Sequence, residues 1–76
     1  MTFGQAVRSA RRERGQSQWD LALAIGTTQR RIWAIEAGAE QPGAEVLLRL
    51  ASALGLEVRF GPYAVGGGAT LAAARS

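Results

Sequence analysis

The chain has 76 residues, enough for one small domain; folding at this size removes only about 60% of the unfolded chain's surface from water, so a partner subunit would help a marginal monomer. With 47% hydrophobic and 20% charged residues and a mean hydropathy near zero, the composition is globular rather than disordered, and no apolar run approaches the roughly 20 residues that span a bilayer. Cysteine and histidine are both absent, which removes disulfides, thiolate metal sites, a cysteine nucleophile and the commonest general base; no metal or cofactor is expected and most enzyme mechanisms are closed off.

All the basic residues are arginines, nine of them, and the net charge is +3, with a pI near 11.1. The planar guanidinium donates two parallel hydrogen bonds to phosphate or guanine, so nucleic acid is the natural partner to suspect. A genome rich in G and C also favours Arg, Ala and Gly, so composition alone is mild support. The start, Met1-Thr2-Phe3-Gly4-Gln5, lacks the basic and apolar stretches of a secretory signal, and a cytoplasmic location without membrane contact is the expectation.

From Thr2 to Arg14 the spacing of Phe3, Val7 and Ala10 predicts a basic amphipathic helix, stopped by Gly15. Ser17 and Asp20 form a capping pattern ahead of a second helix from about Gln18 to Ile25, with Leu21, Ala22 and Ile25 inward and Gly26 at its end. Thr27 or Thr28 caps a third helix, in which Ile32 and Ile35 face the core while Gln29, Arg30, Arg31 and Ala34 lie elsewhere; Gly38 closes it. A turn-rich loop over residues 39–43 precedes a fourth helix from Ala44 to Leu54, with Leu47, Leu50, Ala51 and Leu54 on one face.

After Gly55 the period changes: Leu56, Val58 and Phe60 alternate with Glu57 and Arg59, as in a half-buried strand. No second strand is read in the remainder. The expected partner is the same strand of a second subunit, across a two-fold axis, with Leu56, Val58 and Phe60 as dimerisation residues; a short extended tail lying on the helices is the alternative. The fold expected is thus mainly α: four helices with one C-terminal strand over residues 1–60, then a flexible Gly/Ala-rich tail over residues 61–76.

Arg11, Gly15, Ser17-Gln18, Leu21-Ala22, Gly26-Thr27-Thr28-Gln29, Ile32, Ile35-Glu36, Gly38 and the run Leu50 to Leu56 together carry a resemblance. Over about residues 3–60 the sequence resembles the Cro and phage-repressor class of helix-turn-helix proteins, also called the Xre family. The resemblance implies that the second helix of the pair enters the major groove while the first crosses the backbone. It implies a phosphate contact for Gln18, and DNA contacts for Thr27, Thr28 and Gln29 at the start of the recognition helix. Gln29 is then suited to adenine and Arg30 to guanine, while Arg31 reaches a phosphate or a base. Arg11 and Glu36 match a structural ion pair between the first helix and the recognition helix.

Some positions depart from the pattern. Gln16 stands where a leucine usually packs, and Ala34 where relatives often carry a polar base reader, which leaves it a thymine methyl at most. Trp19 and Trp33 replace small or polar residues; they form a surface patch, stack on DNA or pack on neighbouring helices, and packing is the favoured expectation.

The terminal strand narrows the likeness to the HipB-like antitoxins, which repress their own operon and bind a kinase-like toxin. That implies a homodimeric autorepressor on an inverted-repeat operator in double-stranded DNA, with such a toxin as a possible partner; the alternative is a stand-alone repressor. A protein-binding adaptor is a third reading, opposed by the charge of Gln29-Arg30-Arg31. An enzyme fits worst, since Gly66-Gly67-Gly68 lacks the lysine and strand context of a phosphate loop and no catalytic residue is recognised.

Overall fold

The computed structural model describes residues 2–60 and 63–66, with side chains described over residues 2–58. Four helices come first: α1 (Phe3–Glu13), α2 (Gln18–Ile25), α3 (Gln29–Glu36) and α4 (Ala44–Leu54). Two short strands follow, β1 (Glu57–Phe60) and β2 (Tyr63–Gly66).

Local chemistry sets the first three starts. A helix leaves its first N–H groups without partners, and a short polar side chain just ahead of it supplies an acceptor. Thr2 Oγ1 accepts from the Gln5 N–H at 3.2 Å while the Gln5 side chain accepts from the Thr2 N–H at 3.0 Å. Ser17 and Asp20 make the same reciprocal pair before α2, both bonds at 2.9 Å. Between Thr27 and Thr28 the cap of α3 falls to Thr28, whose hydroxyl accepts from the Arg31 N–H at 3.2 Å. The turn joining α2 to α3 depends on Gly26, held at φ 76°, a left-handed conformation that costs any side chain. With the chain reversed there, the Thr27 N–H reaches back to the Ala22 carbonyl at 2.9 Å, satisfying a carbonyl at the helix end.

Val7 and Ala10 of α1, Leu21, Ala22 and Ile25 of α2, Ile32 and Ile35 of α3, and Leu50 and Leu54 of α4 form one core, against which Phe3, Val46, Ala53 and Leu56 pack. Helix α1 lies across both α3 and α4, and α2 packs on α3 and α4. Helices α1 and α3 come very near each other at Gly4, where an added Cβ would stand 2.3 Å from the Ile35 carbonyl oxygen. Backbone meets backbone there only because the residue has no side chain. Trp19 and Leu23, one turn apart on α2, point away from the core and are 61% and 66% exposed. Packing, the expectation for Trp19, is therefore corrected; the face of α2 that enters the core is the expected one of Leu21, Ala22 and Ile25, and Trp19 with Leu23 makes a second apolar face that meets solvent.

The four helices and the following strand match the mainly α class expected from the sequence. The strand continues differently. It pairs antiparallel with β2 of the same chain, Val58 opposite Val65 and Phe60 opposite Tyr63, and this hairpin lies against α4. Tyr63 to Gly66 thus leaves the expected tail and becomes the in-chain partner that the sequence reading lacked. Leu56 precedes the strand and serves its own subunit's core, while Val58 is half-buried. The side chain of Phe60 and the expectations for residues 67–76 lie outside the described residues. Among the described residues, no helix is long and apolar enough to cross a membrane.

Candidate nucleic-acid interface

Helices α2 and α3, joined through Gly26, present the N-terminal end of α3 beside the N-terminal end of α2. The groups meeting there are organised from behind by a buried ion pair. Arg11 of α1 donates through Nε to Glu36 Oε2 at 2.7 Å and through Nη2 to Oε1 at 3.1 Å, with the two side chains only 10% and 4% exposed. Its remaining arm, Nη1, donates to the Gln16 carbonyl at 2.8 Å. The hydrogen bond to Glu36 raises the Arg11 pKa against the opposing effect of burial, and the carboxylate's charge adds to the rise. Charge pairing plus a satisfied guanidinium fork is what makes such burial tolerable.

The pair extends outward. Gln18 Nε2 donates to Glu36 Oε1 at 3.1 Å, and Gln29 Nε2 donates to Gln18 Oε1 at 2.6 Å. A carboxylate only accepts, so Gln18 must turn its NH2 inward and its oxygen outward; Gln29 must then turn its own NH2 toward Gln18. This chain of bonds fixes which end of each amide points where. It leaves Gln29 with a carbonyl oxygen and a second N–H, the acceptor and donor that adenine requires in the major groove. Gln18 keeps one N–H that is not used within the relay. Thr28, already accepting from the Arg31 N–H, likewise retains its hydroxyl proton.

The remaining candidates separate. Arg30 is exposed and its side chain makes no hydrogen bond or ion pair among the described residues. Arg31 is drawn aside, its Nε donating to Glu40 Oε2 at 2.6 Å, so its guanidinium is tied to the loop after α3. Thr27 is half-buried within the turn. Trp33, expected to pack, is 56% exposed. It follows Gln29 by four residues and Arg30 by three, which places all three on one side of α3.

Gln16, standing where a leucine was expected, lends its backbone carbonyl to Arg11, while its side-chain Oε1 is buried with no hydrogen-bond partner among the described residues. Sequence reading also missed Arg49, whose Nη1 donates to the Ile25 carbonyl at 3.4 Å and whose Nη2 meets Glu45 Oε2 at 2.6 Å. It helps tie α4 to the end of α2. No local motif marks that contact, because it joins residues far apart in sequence.

No curated protein matches the chain significantly. A family model described as a helix-turn-helix domain matches residues 4–59, spanning α1 from its second residue, α2, α3, α4 and most of β1. Helix-turn-helix domains of this kind are DNA-binding regulatory modules, and the α2–α3 geometry has that form. The chain belongs to the helix-turn-helix domain family.

Proposed function

We propose that this protein is a sequence-specific transcriptional repressor, binding an inverted-repeat operator in double-stranded DNA as a homodimer. The observation that carries this reading is the Glu36–Gln18–Gln29 relay, which presents an oriented amide next to the exposed Arg30 at the start of α3. With α3 in the major groove, Gln29 reads adenine through its free oxygen and N–H, and Arg30 reads guanine through N7 and O6. Gln18, Thr28 and the half-buried Thr27 hold the phosphate backbone and fix register. Arg31 contributes charge from its position beside Glu40 and makes at most a phosphate contact. Repression follows from occupancy, since a bound dimer blocks polymerase, and the protein needs neither a cofactor nor a catalytic step.

The test is Arg30→Ala against a duplex that the protein selects from a random pool. Binding to that duplex is expected to weaken by about 1–3 kcal/mol, with preference relaxed at one base pair. Equal weakening on scrambled DNA would reduce Arg30 to a phosphate contact and leave Gln29 as the reader.

The narrower reading is an antitoxin that represses its own operon and binds a kinase-like toxin. It is supported by the resemblance of the helices and terminal strand to the HipB-like group, although here the strand has a partner within its own chain. The stand-alone repressor is therefore the primary proposal. Recovery of a near-stoichiometric kinase-like protein with the tagged chain, together with its own promoter, would establish the antitoxin role; promoter DNA alone would support the stand-alone repressor.

A further inference from the structure

A groove of about 290 Å³ runs between α1 and the C-terminal half of α3, lined by Arg8, Arg11, Arg12, Gln18, Trp33 and Glu36. Arg11 and Glu36 neutralise each other at its floor. Arg8 and Arg12 do not share that arrangement: both are exposed, and neither side chain makes a hydrogen bond or ion pair among the described residues. No other carboxylate lines the groove, so its mouth carries two uncompensated positive charges beside a half-exposed indole. Gln18 belongs both to this groove and to the relay that ends on Gln29. The groove is therefore continuous with the base-reading end of α3.

We propose that this groove seats the sugar-phosphate backbone of the same duplex whose bases meet Gln29 and Arg30, making α1 a second, sequence-independent anchor. The proposal rests on the repressor reading above. Arg8 and Arg12 lie one helical turn apart, about 5–6 Å between their Cβ atoms, and their long side chains reach successive phosphodiesters of one strand. Trp33 packs its ring on the intervening deoxyribose, excluding water around the charge pairs and strengthening them. The charge and the continuity with Gln18 favour a nucleic-acid backbone over an acidic protein segment.

Two measurements test this. The first is the salt dependence of binding to the selected duplex and to scrambled DNA. Losing two phosphate contacts in Arg8→Ala/Arg12→Ala is expected to lower the slope of log K against log salt by about 1.8 on both duplexes, at roughly 0.9 per contact. Arg14→Ala is the comparison, because the Arg14 guanidinium extends toward Gly55, where an added Cβ would stand 2.8 Å from Nη2. The same loss of slope from Arg14→Ala would show a diffuse charge effect and overturn the groove.

The second uses Trp19→Phe, which leaves Trp33 as the sole tryptophan. Saturating duplex is expected to quench its emission and shield it from iodide. Continued access of iodide to Trp33 in the complex overturns the proposal. If the unaltered protein binds no duplex in either format, the repressor reading fails and the groove proposal fails with it. Selective binding that Arg30→Ala relaxes, combined with an unchanged slope in Arg8→Ala/Arg12→Ala, removes the groove proposal alone.

Discussion

At the residue scale, Arg11 and Glu36 hold stability and recognition together. Truncating Arg11 to alanine strands a buried carboxylate and is expected to destabilise the fold by about 3–5 kcal/mol in urea unfolding. Replacing both partners with leucine or methionine is expected to restore most of that loss while leaving Gln18 without an inward acceptor. Such a variant would fold yet select DNA poorly; full selectivity in it would show that the relay does not orient Gln29. Arg11 has its pKa raised, so its contribution is present below the unfolded value and is lost only as pH rises through the folded one, far above neutrality. Asp20 behaves oppositely. The Ser17 backbone N–H, and then its hydroxyl, hold the Asp20 carboxyl below its ordinary 3.8, so its stabilisation is present above that value and is lost as pH falls through the lowered one. The melting-temperature gap between the unaltered protein and Asp20→Asn is expected to close at acid pH; a gap that stays constant would show that the carboxylate's charge contributes nothing.

At the element scale, Gly4 decides how closely α1 approaches α3. Alanine there would normally favour a helix by about 1 kcal/mol. A Cβ placed 2.3 Å from the Ile35 carbonyl oxygen must instead push two backbones apart, and overpacking of this kind costs about 1–3 kcal/mol. Gly4→Ala is expected to be destabilising overall in chemical denaturation, whereas a net gain would mean that α1 can shift without penalty. Helix ends were legible in the sequence because their chemistry is local: Ser17 with Asp20, Thr28 and Gly26 each act within a few residues of themselves. Strand β2 was not legible. Tyr63-Ala64-Val65-Gly66 offers one short alternation, followed at once by two more glycines, and Gly61-Pro62 before it reads equally as a turn or as the start of a tail. The direction of Trp33 and the groove between Arg8, Arg12 and Trp33 were also hidden. They depend on how α1 lies across α3, which no spacing within either helix specifies.

At the scale of the whole molecule, one helix-turn-helix unit reads only half of an inverted repeat, and two recognition helices must be held about one DNA turn apart to read both. A two-stranded hairpin is marginal by itself. Pairing of the outer edge of β1 with its counterpart in a second subunit would build a four-stranded sheet, and this remains the proposed dimer contact. Sedimentation is expected to give two chains per full repeat, and Arg59→Pro, which removes a donor from the edge of β1 that faces away from β2, is expected to weaken that association. An undiminished dimer in Arg59→Pro would move the interface elsewhere. The division of α3 into two sides bears on how such a protein changes over generations. Ile32, Ile35 and Glu36 hold the helix in place, while Arg30 and Trp33 face outward. On the proposed reading, mutation at Arg30 can therefore retarget a lineage to a new operator with little risk to folding, whereas mutation at Trp33 changes only the sequence-independent hold. Gln29, joined through Gln18 to the buried pair, is the letter of the code that drifts least freely.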